Sequence, residues 1–137
     1  MINYSIKTTC KKENLKQIRV FVREKLQELG VKEPESDLMI LAVDEVCANL
    51  IIHSNKNNNQ PLEVNIIPQK EGVAFEIKDQ GKYFDYSLYE PPQIEDIRRE
   101  QRKGGLGMLL VRKIMDHIHY ETHSDFNSCH LFKKVAF

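Results

Sequence analysis

The sequence predicts an α+β domain: a two-layer sandwich in which about three helices cover one face of a mostly antiparallel, mixed sheet. Two patterns predict it. Apolar residues recur at helical spacing in three separate stretches, whereas "LEVNIIP" and "VAFEIKD" alternate with the period of two of a half-buried strand. The stretches run strand, two helices, two strands, a long connection, helix, two strands, an order that builds helices on one side of an antiparallel sheet. At 137 residues the chain reads as one domain, 1–137, long enough to bury a core.

"NYSIKT" reads as the first strand. From Lys12 to Leu29, the residues Leu15, Ile18, Phe21, Val22, Leu26 and Leu29 form one helical stripe, and Gly30 closes it. Pro34 and Ser36 mark the start of a second helix running to about His53. It is apolar nearly all round, so burial on more than one side is expected. The polar run "HSNKNNNQP" is a loop. In the hairpin that follows, with "QKEG" as its turn, Val73, Phe75 and Ile77 point one way, and Asp79 falls next in that inward row. Residues 82–103 form a charged, proline-containing connection of a length that is usually functional or mobile. "GGLGMLLVRKIMDHI" reads as glycines opening a helix, and "HYETH" and "CHLFKKVAF" as two strands around a turn at Asp125–Ser128.

Twenty basic side chains balance twenty acidic ones, which argues against a dedicated nucleic-acid binder. The polar, charged start resembles no signal peptide. No apolar run approaches the roughly 18 residues of a membrane helix, so no membrane partner and a cytoplasmic location are expected. Cys10, Cys47 and Cys129 are odd in number and widely spaced, which fits neither a disulfide framework nor a zinc cluster. A reducing compartment follows, with Cys47 and Cys129 as small buried hydrophobes.

Three polar groups stand where packing would favour apolar ones. On the second helix, "VDEVCANLIIHSN", Glu45, Asn49 and His53 fall at i, i+4 and i+8, and at 100° per residue they fan over roughly 80° of one face. A carboxylate and an amide oxygen one turn apart suit a hard cation that also takes phosphate oxygens, and suit proton removal from a hydroxyl. His53 is expected to serve the helix end rather than chemistry. Asp79, followed by Gly81, places a carboxylate in the layer between sheet and helices, where it needs donors; an adenine amino group is one. "GGLG", Gly104 to Gly107, stands directly before a helix, where bare backbone N–H groups and the helix end favour a phosphate. Each group has a bland reading as a capping network, a turn or a loop. Their conjunction in one short chain is what points to a nucleotide.

In that order and on those elements, the chain resembles the GHKL ATPase superfamily: "DEVCANLIIHS" looks like its N box, "DQGKYFD" like its first glycine box and "GGLGMLLVRKIMD" like its second. The Glu-x-x-x-Asn-x-x-x-His spacing and the ending "DHIHYETHSDFNSCHLFKK" are similar to the anti-sigma-factor serine/threonine kinases of the RsbW and SpoIIAB type. The resemblance implies a Bergerat-type ATP-binding fold. It also implies ATP and Mg²⁺ as cofactors, with Asn49 as the metal ligand and Glu45 as the catalytic base. Asp79 and Gly81 would read the adenine. Gly104, Gly105 and Gly107 would cradle the phosphates, with Arg102 and Lys103 adding charge. Ser128 is included where the family often has threonine. Asn127 replaces a usual glycine, and Tyr83 stands where many members carry a second glycine. The implied partners are a STAS-type anti-sigma-factor antagonist as substrate, a sigma factor held in alternation with it, and a second copy in a homodimer. The alternative is a nucleotide-dependent module that sequesters its partner with little or no turnover. A free ATP hydrolase lacks the accessory domains that harness it, and a purely structural domain leaves the three constellations unexplained.

Overall fold

The computed structural model describes residues 3–54, 59–81 and 105–136, apart from the side chains at 53, 54, 105 and 106. Strand β1 (Tyr4–Thr9) leads through a 3₁₀ turn (Lys12–Asn14) into helix α1 (Leu15–Glu28). Asn14 ties the junction by donating its amide to the Thr9 carbonyl at 3.0 Å and to the Thr9 hydroxyl at 2.9 Å. Helix α2 spans Glu35–Asn49 and widens into a π turn at Leu50–Ser54. Strands β2 (Pro61–Gln69) and β3 (Gly72–Asp79) form the hairpin, α3 covers Gly105–Ile114, and β4 (His117–Thr122) and β5 (Asn127–Lys134) complete the described elements.

The five strands lie in the order β1-β2-β3-β5-β4, and every described pairing is antiparallel, so the expected mixed component is absent from them. The final turn occupies 123–126, where the His123 N–H reaches the Phe126 carbonyl at 2.8 Å. It ends earlier than the expected Asp125–Ser128 because Asn127 and Ser128 already pair in β5.

Helix α1 buries Ile18, Val22 and Leu26, one residue per turn on the predicted stripe. Full burial of such side chains contributes about 1.5–3 kcal/mol each. Its end is closed as a Schellman motif: Gly30 takes φ +84°, its N–H meets the Gln27 carbonyl, and the Val31 N–H meets the Leu26 carbonyl, both at 3.0 Å. The hydrophobic contact that usually accompanies this cap has both candidates in place, since Val31 and Leu26 are buried. Helix α2 buries Met39, Ile40, Ala42, Val43, Val46 and Cys47 between its neighbours, as its all-round apolar sequence requires.

Beneath the helices, the inner face of the sheet alternates as read: Leu62, Val64 and Ile66 on β2, Val73, Phe75 and Ile77 on β3, and Cys129 and Leu131 on β5 are buried. The other face carries Lys7, Glu63, Lys78, Glu76 and His130, which pair with one another at 3.5–3.8 Å. Burial pushes the Cys10 thiol up to about 11 and the Cys129 thiol up to about 12, with the Asp79 charge adding to both. Cys47 is raised well above its ordinary value, first by burial. All three thiols stay protonated at neutral pH and serve as packing, not as nucleophiles or ligands. No described helix is long and apolar enough to cross a membrane.

Candidate nucleotide site

Glu45 and Asn49 sit one turn apart on the last two turns of α2, just before the π turn. Widened turns of this kind recur at functional sites. Asn49 is only 6% exposed, an amide in a position the helix period otherwise gives to the core. Glu45 is half-buried, and its carboxyl is held above the usual carboxylate range, first by burial and then by the neighbouring Asp44 charge. A carboxylate made more basic in this way is the better proton acceptor at neutral pH.

The first turn of α3 meets Glu45 at Gly107. A Cβ built there would overlap Oε2 of Glu45 and lie 2.9 Å from its Cδ. Only glycine lets the α3 backbone come so close to that carboxylate, and the positive end of the helix faces the same place. The obstructing atoms are the tip of a flexible side chain. Gly107→Ala is therefore expected to displace the Glu45 carboxylate and leave the fold intact. The melting temperature should move by no more than the equivalent of about 1 kcal/mol, while turnover falls by about 100-fold. Calorimetric melting and a turnover assay on the same preparation check both halves.

At the end of β3, Asp79 is 2% exposed and faces the helices, as the strand parity requires. Its Oδ2 accepts the Gly81 N–H at 3.0 Å, and the Asn127 amide donates to the Gly81 carbonyl at 3.1 Å. Gly81 is thus held from both sides. The charge of Asp79 also contributes to raising the buried Cys47 thiol on α2, after burial itself and nearer charges.

Asn127, which in the sequence is marked only as replacing a usual glycine, is tied to the site by this bond. It pairs with Asp79 in the sheet register and so shares its inner face. Ser128, expected in the site, is buried at 3% exposure, and the same register gives its direction. It pairs with Lys78 on the far face of the sheet, and its hydroxyl lies 3.2 Å from Nε2 of both His123 and His130. A side chain one residue along a strand points to the opposite face. Gly105 opens α3 and is placed beside Gly107 in its first turn. Arg102, Lys103 and Gly104 lie outside the described residues, as do the side chain of His53, Tyr83 and the rest of the long connection.

A cavity of about 570 Å³ between α3 and β4, lined by Met108, Arg112, Met115, Asp116, Ile118, His119 and Tyr120, includes none of these site residues. The residues present fit a magnesium nucleotide on three counts. A glycine lets the α3 backbone lie against the Glu45 carboxylate, a buried amide stands one helical turn from that carboxylate, and a buried carboxylate at the sheet end stands beside a fixed glycine. Among the described residues no group of three or more His, Cys, Asp or Glu side chains forms a metal site by itself, so a cation here would rely on Asn49 together with phosphate oxygens and water.

Comparisons with known proteins give the family and the fold. A profile of the histidine kinase-like ATPase domain matches residues 8–131. The serine-protein kinase RsbW of Bacillus licheniformis is 26% identical over 130 residues, covering 87% of this chain and 78% of that protein. The serine-protein kinase RsbW of Staphylococcus aureus is 31% identical over 87 residues, 57% of this chain and 53% of that one. Among solved structures, the RsbU and RsbW domains of Rv1364c from Mycobacterium tuberculosis superpose with a TM-score of 0.69 at 12% identity. That likeness in fold covers 98% of this chain and 32% of the larger one.

Proposed function

This chain belongs to the histidine kinase-like ATPase domain family, and we propose that it is an Mg–ATP-dependent serine/threonine protein kinase of the anti-sigma-factor type. Its substrate is a small STAS-type antagonist, and it holds a sigma factor in alternation with that antagonist. The observation that carries this reading is the contact between Gly107 and Glu45, with Asn49 one helical turn beyond. It sets a basic carboxylate and a buried amide against the start of a glycine-opened helix. The relatives named as serine-protein kinases support the choice of acceptor.

In this reading Asp79 and Gly81 take the adenine edge, the carboxylate accepting from the amino group and the bare backbone admitting the ring. Gly105 and Gly107 present α3 backbone to the phosphates, and Gly104, Arg102 and Lys103 extend that cradle. Asn49 holds Mg²⁺, which when bound neutralises charge on the transferring phosphate oxygens. Glu45 accepts the proton of the antagonist's hydroxyl as its oxygen bonds to the γ-phosphorus and the bond to the β-phosphate oxygen breaks, releasing ADP. Most of the rate comes from positioning and charge. The product carries nearly two extra negative charges, which weakens its docking and frees the kinase for its other partner.

Incubation with γ-labelled ATP, Mg²⁺ and a STAS-type antagonist from the same genome tests this. Label on a serine or threonine of the antagonist, absent with Glu45→Gln, is the expected result. Tight ATP binding and antagonist capture with no label on any such partner would overturn the kinase and leave a sequestering module.

A further inference from the structure

Asp44, next to the base, has no part in the chemistry so far, yet it is tied across helices. Arg19 Nη1 on α1 donates to Asp44 Oδ1 on α2 at 2.9 Å. The pair is not fully exposed: the side chain of Asp44 keeps 21% of its accessible surface and that of Arg19 keeps 41%. We propose that the Arg19–Asp44 pair is a positioning device that sets the charge on Glu45, with Arg19 drawing the field of Asp44 away from the base. The proposal deepens the reading of Glu45 as proton acceptor and rests on it only for its kinetic consequence.

The physical argument starts from position. Neighbouring side chains on a helix diverge by about 100°, so Asp44 reaches sideways to α1 while Glu45 faces α3. Two carboxylates this near oppose each other's ionisation, and Asp44 is the charged neighbour that acts on Glu45 after burial. From the α3 side Glu45 meets Gly107, which is uncharged. The described charged residues of that helix, Arg112 and Lys113, are exposed in its last turn. From the α1 side Arg19 is bound to Asp44. On the sheet, the buried carboxylate is Asp79, whose charge adds to the raised Cys10, Cys47 and Cys129 thiols. Among the described residues, Arg19 is thus the partner that offsets the charge Asp44 turns on Glu45.

This arrangement makes the two halves of one ion pair act with opposite sign. Removing Asp44 takes a negative charge from beside the base and eases its ionisation. Removing Arg19 leaves that charge uncompensated and hinders it. A bridge that served only to strap α1 to α2 would give effects of the same sign from either side.

The test is the titration of the Glu45 carboxyl carbon by NMR in nucleotide-free protein, in wild type, Asp44→Asn, Arg19→Gln and the double variant. Asp44→Asn is expected to lower the midpoint by about half a pH unit or more and Arg19→Gln to raise it by a similar amount, with the double variant close to Asp44→Asn. Shifts in the same direction from both single variants, or no shift from either, would overturn the proposal. If Asp44→Asn unfolds, Arg19→Gln and Arg19→Lys still decide it, since lysine keeps the charge and should restore much of the wild-type midpoint. The acid limb of the phosphorylation rate should move with the NMR midpoint. NMR shifts of the expected signs in a protein that transfers no phosphate would sink the kinase reading and leave this inference standing.

Discussion

Asp79→Asn is expected to weaken adenine nucleotide binding by about 100-fold or more, with the fold unchanged. The substitution is nearly isosteric, and the new amide oxygen can still accept the Gly81 N–H that Asp79 now holds at 3.0 Å. What changes is the other end. A carboxylate accepts on both oxygens, whereas the amide turns an N–H₂ group towards the donor edge of the base. Two donors facing each other in a 2%-exposed position leave both unsatisfied, which is the costly outcome for buried polar groups. Isothermal calorimetry with ADP, together with a circular-dichroism melt, separates lost binding from lost folding. Unchanged affinity in a folded variant would remove Asp79 from the site.

Glu45→Gln carries the second large effect, and it has two halves of opposite sign. Turnover should fall by about 10²–10⁴-fold, the usual contribution of a positioned base, while nucleotide affinity changes little. Stability at neutral pH should rise. The pKa of Glu45 is raised in the folded protein, so its contribution is favourable below the unfolded-state pKa, near the ordinary 4.5 of a glutamate. That contribution is lost as pH rises through the higher folded value. Above that window the ionised form is a cost to folding, and glutamine removes it. The melting temperature of Glu45→Gln should therefore exceed that of wild type at pH 7, and the difference should shrink as pH is lowered towards 4. A less stable variant at pH 7 would mean that the carboxylate is held by favourable partners rather than kept as a strained base.

Much of this was legible in the sequence because two periods carry it. Period two along β3 puts Asp79 in the row of Val73, Phe75 and Ile77, and the structure keeps it there, buried. Helical spacing from Ile18 through Leu26 marks the inner face of α1, and the glycine after it takes the left-handed cap. The same logic gives the direction of Ser128. Cys129 and Leu131 alternate inward, so parity alone sends Ser128 outward to His123 and His130, yet the family resemblance had drawn it into the site. Asn127 has the inward parity and the contact with Gly81.

Other features had no local signal. That Gly107 abuts Glu45 depends on how α3 crosses α2, which neither stretch encodes alone. The Arg19–Asp44 tie joins residues 25 apart in sequence, and nothing in either helix pattern distinguishes it from ordinary solvated charge. Leu38 and Leu41 on α2 and Ile52 in the π turn after it remain exposed in a stretch that reads as apolar all round, because packing against its neighbours still leaves one side open.

The most direct test of the central claim is calorimetric titration of ATP into the wild-type protein and Asn49→Ala, each with and without Mg²⁺. A magnesium-dependent nucleotide site built on Asn49 predicts micromolar binding that tightens with Mg²⁺ in the wild type, and weaker binding indifferent to Mg²⁺ in the variant. No binding by folded wild-type protein, or a magnesium response that survives Asn49→Ala, would contradict it.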